Sequence, residues 1–229
     1  MRACLTELHT EPFAAQREWT AEGIPVLEAS VEVPQPQGED TVSRRIRRYY
    51  QTQCKAFLRY CEHWLLPQAE AEYRAALAAS APLPCFRAEL GYRVTYNEGG
   101  LWSLYTQSRE VTLPGHTLLT RRGDTWDLAA GYPVPLSSFF PARSSWRRQL
   151  LTLAADEIQR QERAGFAQYD PGWRKKLRRC FNSRNYYLTP EGLTYFYPMY
   201  AIAPAAEAIP SFTLPYGQRG LLPPCEHRK

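Results

Sequence analysis

The chain has 229 residues, of which 44% are hydrophobic, and this is enough for one substantial domain with its own core. Its formal net charge is +5, so an anionic partner is allowed but not required. No apolar stretch reaches the length that a signal sequence or a membrane-spanning helix needs. We therefore expect a single domain over residues 1–229, without a membrane segment and located in the cytoplasm.

The N-terminal part predicts two strands followed by a long helix. A first strand is expected at residues 3–10, and a half-buried second strand at 24–34, where apolar and polar residues alternate. Apolar residues then recur at helical spacing over 42–64. Pro67 should break this helix, which resumes through residues 69–79.

The middle of the chain predicts an antiparallel meander. Residues 86–96 alternate between apolar and polar side chains, as in a strand with one face in water. Turn residues follow at 97–100, 114–116 and 123–124. The pattern therefore predicts about four successive strands.

A second and a third helix are expected after a proline-rich loop at residues 131–145. The second helix has an apolar face over 146–158 and should end at Gly165. Asp170 should cap the third helix, with Pro171 at its first position.

Residues 185–217 are dense in aromatic side chains and nearly free of charge, which is typical of a segment buried in a sheet or against a partner. Within them, 186–197 predict a hairpin, in which Pro190 suits the second position of a type I turn and Gly192 a left-handed position. A short strand should follow at 211–216. Together these elements predict an α+β fold, an antiparallel β-sheet meander packed by about three helices, followed by a flexible tail at 218–229.

Cysteine and histidine spacing gives no support for a metal site or a cofactor. None of the six cysteines forms a CxxC pair, and Cys54 and Cys61 lie about 10 Å apart along one helix face, beyond disulfide reach. Free thiols acting as small core residues are favoured over a reactive or ligating role. Nucleotide-binding glycine loops and nucleophile elbows are also absent from the sequence.

Three segments concentrate the positive charge. In residues 173–179 the apolar positions Trp173 and Leu177 are four apart, which favours a solvated helix face over a binding surface. The other two segments are 44–50 and 144–148. Basic residues are not interleaved with exposed aromatic residues on one sheet face, so no nucleic-acid partner is expected.

Paired carboxylates offer a weak alternative for catalysis. Asp124 and Asp127 flank Trp126, a composition that would suit a sugar site, but Asp124 follows a glycine as turn residues do. His116 follows a Pro-Gly turn and is interpreted as a loop residue that bonds its neighbours rather than as a base. We therefore expect no enzymatic activity.

The order of the elements and three motifs resemble the C-terminal domain of RsiV-type anti-sigma factors, which also occurs in peptidoglycan deacetylases. Residues 114–140 resemble the family's Gly-His strand pair followed by an Asp-Leu, Gly, Leu-x-x-Phe passage, and 186–197 resemble its signature hairpin. YAIAP at 200–204 and IPSFTLPY at 209–216 resemble the C-terminal end of the family's domain. The resemblance covers about residues 24–217.

The resemblance implies a non-catalytic recognition domain for a protein, lysozyme in RsiV-type sensors, or for a cell-wall-related molecule, and it allows an extracytoplasmic location. Hairpin geometry suggests Tyr195, Tyr197 and Tyr200 as ligand contacts, unless their strand face is core, and the first motif adds His116. The family's usual acidic residue in the YxIAP motif is Ala201 here. Sigma-factor binding, membrane signalling and deacetylation are not expected of these residues.

Two other functions remain open from the sequence. One is an enzyme of unrecognised type that acts on a glycan. The other is an intracellular interaction scaffold whose basic helix face meets an acidic partner.

Overall fold

The computed structural model of the chain describes residues 7–113, 115–204 and 208–224. The fold is mixed α+β, with a meander and packed helices, and the predicted fold class is confirmed. One sheet has the order β1-β2-β3-β4-β5-β6 and a second has the order β7-β8-β9. The strands are β1 Thr10–Ala21, β2 Ile24–Pro36, β3 Phe86–Glu98, β4 Leu101–Leu113, β5 His116–Asp127, β6 Tyr132–Pro133, β7 Tyr186–Leu188, β8 Gly192–Phe196 and β9 Ser211–Pro215. The helices are α1 Thr41–Tyr60, α2 Leu66–Ala78, α3 Trp146–Arg163 and α4 Trp173–Cys180.

The observed first strand, β1, begins at Thr10, which is the last residue of the strand predicted at 3–10. Residues 1–6 lie outside the described part of the chain. β1 lies at the sheet edge and pairs with β2, seven of its twelve residues are exposed, and it shows no clean alternation. Glu22 and Gly23 form its two-residue turn, with φ values of 52° and 80°.

The long helix continues through the predicted break. A π-helical turn at Cys61–Leu65 joins α1 to α2, and Pro67 lies in the first turn of α2, directly after this π-helical turn. Leu65 is buried, whereas Trp64, expected on the apolar face, is 67% exposed. The helices of the described residues include none with the length and apolar character needed to cross a bilayer.

The meander has three long strands rather than about four. β5 runs through the predicted turn at 123–124 without interruption. Gly123 is needed there for a close approach, because a Cβ on it would lie 1.9 Å from the backbone oxygen of Tyr186. Among the described residues, only the two-residue β6 extends the sheet beyond β5.

One pairing in the large sheet is parallel. Leu27 of β2 lies opposite Phe86 of β3, and the helical segment over residues 41–78 provides the long crossover that a parallel pair needs. The sequence predicts the antiparallel meander only from residue 86 onward, so it does not indicate this parallel pairing with β2.

The chain divides into two compact units. One contains the described residues within Met1–Leu8, Arg93–Tyr105 and Thr120–Lys229, and the other contains His9–Tyr92 and Thr106–Leu119. Strands β3, β4 and β5 contribute residues to both. A single domain over 1–229 stays a prediction.

The unit containing His9–Tyr92 has a core between β2, β3 and the long helix. Cys61 lies in this core, and Cys54 is also buried. Both are free thiols, as are the other two cysteines in the described residues, Cys85 and Cys180. Burial raises the pKa of Cys54, and it raises the pKa of Cys61 to about 12, so both thiols stay protonated at neutral pH.

Glu110 on β4 is a buried carboxyl in the same unit. The Tyr60 hydroxyl donates to its Oε2 atom at 2.8 Å. Desolvation by burial raises the pKa of Glu110, although the hydrogen bond from Tyr60 acts in the opposite direction. Burial, followed by the effects of Glu110, raises the pKa of Tyr60 to about 12.

We expect Glu110→Gln to raise the stability of the protein at neutral pH. Between about pH 4.5 and the raised pKa, Glu110 holds a proton in the folded state but not in the unfolded chain. The contribution of Glu110 to the free energy of unfolding therefore falls as the pH rises through this range. Thermal melts of wild type and variant across pH test this. The stability difference should grow with rising pH, whereas Glu98→Gln, at an exposed position, should show no such trend; a pH-independent difference for Glu110→Gln would contradict the prediction.

The two later helices follow the sequence patterns except at one cap. α3 ends next to Gly165, which has a φ of 69°, as predicted. The N-cap of α4 is Gly172 rather than Asp170, and the Asp170 carboxylate instead accepts a hydrogen bond from Lys176 Nζ at 2.6 Å. The capping prediction is therefore wrong, because the ion pair uses this carboxylate.

Part of the predicted flexible tail, up to Leu222, contacts other residues of its unit. Leu221 is buried, and the Leu222 N–H donates to the Phe139 carbonyl oxygen at 2.9 Å. Arg219 also forms an ion pair with Asp156 at 2.9 Å. Residues 225–229 lie outside the described part of the chain.

Candidate functional site

The predicted hairpin forms, and its strand β8 is buried along both faces. Tyr195 of β8 and Tyr197, which follows it, are each 1% exposed. The Tyr195 hydroxyl donates to the Leu150 carbonyl oxygen on α3, and the Tyr197 hydroxyl donates to the Leu177 carbonyl oxygen on α4 at 3.1 Å. These tyrosines thus join the small sheet to two helices.

Burial also controls the ionisation of these two hydroxyls. Desolvation raises the pKa of Tyr195 well above its ordinary value, and the pKa of Tyr197 rises for the same first reason. Both therefore remain neutral hydrogen-bond donors. The structure places both rings in the core, and neither is presented at the surface.

The hairpin turn depends on glycine for a different reason than predicted. Thr189 and Gly192 exchange backbone hydrogen bonds across the turn. Gly192 is not in the left-handed region; instead, a Cβ on it would lie 2.1 Å from the Leu214 backbone oxygen of β9. Close approach of two strands, rather than positive φ, excludes a side chain here.

Tyr200 is the hairpin-region candidate that reaches the surface. Its side chain is 53% exposed, and its φ is 65°. The Ala201 N–H donates to the Pro198 carbonyl oxygen at 3.0 Å, closing a four-residue turn at 198–201, which we call the Tyr200 turn. Tyr200 occupies the third position, which glycine or asparagine usually takes when φ is positive.

His116 and the two aspartates lie elsewhere. His116 is exposed at the start of β5. Asp127 Oδ1 accepts the backbone N–H groups of Ala129 and Ala130, a local turn role. Asp124 is buried within β5, not in a turn, and pairs with Arg122 at 3.5 Å.

A cavity of about 610 Å³ surrounds Asp124 in the unit that contains the hairpin. Its wall includes Arg121, Arg122 and Arg184. Arg121 is also stacked over the Tyr105 ring, with 4.4 Å between its guanidinium carbon and the ring centroid. The cavity combines one buried carboxylate with several donors, a composition suited to a polar small molecule.

A larger groove of about 800 Å³ lies between α3 and α4, and we call it the α3–α4 groove. It brings together two of the basic segments, 144–148 and 173–179. Half-buried Trp146 and Leu151 line it from α3, and Leu177 lines it from α4. The positive charge of the groove comes from Arg147, Arg148, Arg174 and Arg178.

Sequence patterns indicated each basic segment but not the groove. Trp173 and Leu177 turn into the core, so the predicted amphipathic helix is confirmed. The segments meet because α3 and α4 pack on the same core, a tertiary contact with no signature in either segment alone. Both segments contain a tryptophan followed by an arginine, at Trp146 and Trp173, and this shared pattern is the signal that could have suggested that they meet.

Comparisons with known proteins agree on one family description. Residues 137–217 match the model of a protein of unknown function, DUF3298. A DUF3298 family member from Bacteroides fragilis has a TM-score of 0.65 and 16% identity, covering 92% of each chain. A DUF3298 protein from Pseudomonas aeruginosa PAO1 has a TM-score of 0.60 and 19% identity, covering 95% of each chain.

A search of the curated proteins found no match. At identities below 20%, the two solved structures show the fold alone. Neither match mentions an RsiV-type protein, so that finer resemblance remains a hypothesis. Residues 137–217 thus match the DUF3298 model, and the chain has the α+β fold of the two solved DUF3298 proteins.

Proposed function

We propose that the chain is a non-catalytic binding domain that recognises a protein partner through the Tyr200 turn. The observation that carries this proposal is a surface aromatic side chain at a strained backbone position. Positive φ costs a residue with a side chain about 1 kcal/mol or more, and such strain clusters at ligand-binding positions. Tyr200 combines that strain with 53% exposure.

The surroundings of Tyr200 favour a rigid contact. Buried Tyr197 precedes the turn, and buried Ile202 and Ala203 follow it. The backbone on both sides is therefore held by the core, and presenting the ring costs little entropy on binding. Tyrosine in such a position is a typical centre of a protein interface.

Lysozyme is the first partner to test, since the resemblance to RsiV-type sensors implies it. Peptidoglycan fragments are the corresponding cell-wall ligand. His116 stays a candidate contact with no geometric support of its own, and burial argues for a structural role of Tyr195 and Tyr197.

We expect Tyr200→Gly to abolish or weaken binding to C-type lysozyme by about tenfold or more without loss of stability. Glycine accepts the φ of 65° without strain, so the Tm should be unchanged or higher. Isothermal titration calorimetry and thermal melts measure the two effects. Phe166→Ala is the matched control, because this ring is 76% exposed on the same unit.

Two results would overturn the proposal. One is the absence of binding to both lysozyme and peptidoglycan fragments at concentrations up to about 1 mM, where a dissociation constant corresponds to a binding free energy of only about 4 kcal/mol. The other is equal affinity of wild type and Tyr200→Gly. A loss with Phe166→Ala as large as with Tyr200→Gly would also count against a specific role of this turn.

The Asp124 cavity keeps a glycan-directed enzyme as the second candidate. Activity on glycan substrates that Asp124→Asn abolishes, with the Tm retained, would favour it over the binding domain. Unchanged activity in that variant would exclude Asp124 as the acid or base.

A further inference from the structure

We infer that the α3–α4 groove is a docking site for an acidic, amphipathic helical segment of a partner protein. This inference does not depend on the proposed function, because the groove is built from α3 and α4 and not from the Tyr200 turn. It concerns an interaction surface with its own chemistry. Charge, arginine orientation and an apolar floor support it separately.

The charge of the groove is uniform. Four arginines line it, and no carboxylate does among the described residues. None of these arginines forms an ion pair with a carboxylate in the described part of the chain. Elsewhere on α3, carboxylates do form ion pairs with arginines: Glu157 pairs with Arg160, and Asp156 pairs with Arg219. The groove therefore concentrates positive charge that an acidic partner would neutralise.

Two of the guanidinium groups are held in position by aromatic rings. The Arg147 guanidinium carbon lies 5.3 Å from the Phe181 ring centroid, and Arg147 Nη2 donates to the Arg178 carbonyl oxygen at 3.5 Å. The Arg174 guanidinium carbon lies 4.4 Å from the Trp173 ring centroid. A cation–π contact holds a guanidinium near the ring without using its N–H donors, so these donors remain available to a carboxylate.

The floor of the groove selects for apolar anchors. Trp146, Leu151 and Ala155 of α3 are half-buried, and Leu177 of α4 completes the floor. Leu151 and Ala155 are four residues apart, so they form a ridge along one side of α3. A free anion would leave this floor wet, whereas a helix with leucines at every third or fourth position would cover it.

A designed peptide pair tests the docking surface directly. One peptide is an amphipathic helix with leucine anchors and glutamates on its flanks, and the other has lysines in place of the glutamates. Fluorescence anisotropy with the full chain should show binding of the acidic peptide alone. Affinity should fall steeply between about 0.05 and 0.5 M salt, because screening shortens the range of the arginine field.

Matched charge reversals locate the binding. Arg148→Glu with Arg178→Glu should weaken the acidic peptide by about tenfold or more, whereas Lys175→Glu with Arg179→Glu, outside the groove on α4, should change it little. Thr152→Trp keeps every charge but adds bulk at an exposed position that lines the groove, and it should also weaken binding. Melts of each variant confirm that the fold is retained.

Four results would overturn the inference. The two peptides could bind equally, or both charge-reversal pairs could weaken binding equally, which would show non-specific attraction. The Thr152→Trp variant could bind as tightly as wild type, which would place the peptide outside the groove. Tighter binding of a single-stranded oligonucleotide than of the acidic peptide would indicate a nucleic-acid surface instead.

Discussion

Replacing Gly123 by alanine is expected to lower the free energy of unfolding by about 3 kcal/mol or more, or to prevent folding. The added Cβ would lie 1.9 Å from the Tyr186 backbone oxygen and 2.7 Å from its carbonyl carbon. Both neighbours are backbone atoms, so no side-chain rotation can relieve the overlap. β5 and β7 would have to separate, in a region where Tyr186 is itself buried.

The matched control is Gly91→Ala in β3. A Cβ at Gly91 meets no atom within 4 Å, so this variant should be as stable as wild type or slightly more stable. Urea denaturation followed by circular dichroism gives both values. Equal stability of Gly123→Ala and Gly91→Ala would show that the strands do not approach as closely as the structure has them.

Replacing Tyr195 by alanine is expected to cost about 3 to 5 kcal/mol of stability. The ring is 1% exposed and lies 5.6 Å, centroid to centroid, from the Phe212 ring and 6.1 Å from the Tyr197 ring. Removing it leaves a cavity in the core that the hairpin shares with α3 and α4. Chemical denaturation measures the loss.

Tyr195→Phe separates the packing of the ring from its hydroxyl. It should cost only about 1 kcal/mol, since it removes one hydrogen bond to the Leu150 carbonyl oxygen and keeps the ring. If Tyr195→Ala and Tyr195→Phe fold, each should bind a partner that depends on Tyr200 with the affinity of the wild type. A partner affinity that falls with Tyr195→Phe while stability is retained would assign Tyr195 to the ligand instead of the core.

Local periodicity explains which elements the sequence predicts well. β3, α3 and the hairpin have regular alternation, helical spacing or turn residues within a few positions, and the structure confirms all three. β1 lacks such a pattern because its order comes from pairing with β2. The roles of Gly123 and Gly192 depend on strands distant in the chain, so turn chemistry gave the wrong reason for both.

The candidate binding surfaces were harder to predict from the sequence than the secondary structure. Alternation assigns Tyr195 and Tyr197 to one strand face but cannot say that α3 and α4 cover it. The same alternation leaves Tyr200 unassigned, since its exposure follows from a turn after the strand has ended. Helical spacing indicates a charged face on α4, while the groove needs the position of α3 as well.

The parallel pairing of β2 with β3 also bears on the order in which the chain folds. The β1–β2 hairpin closes through two residues, whereas Glu28 and Arg87, whose side chains meet across the parallel pair, are separated by 59 positions. Closing so long a loop costs more chain entropy than closing a hairpin, and the helical segment over 41–78 shortens the distance to be closed. We therefore expect the hairpin and the helix to form early, and the contact that joins β2 to β3 to form late.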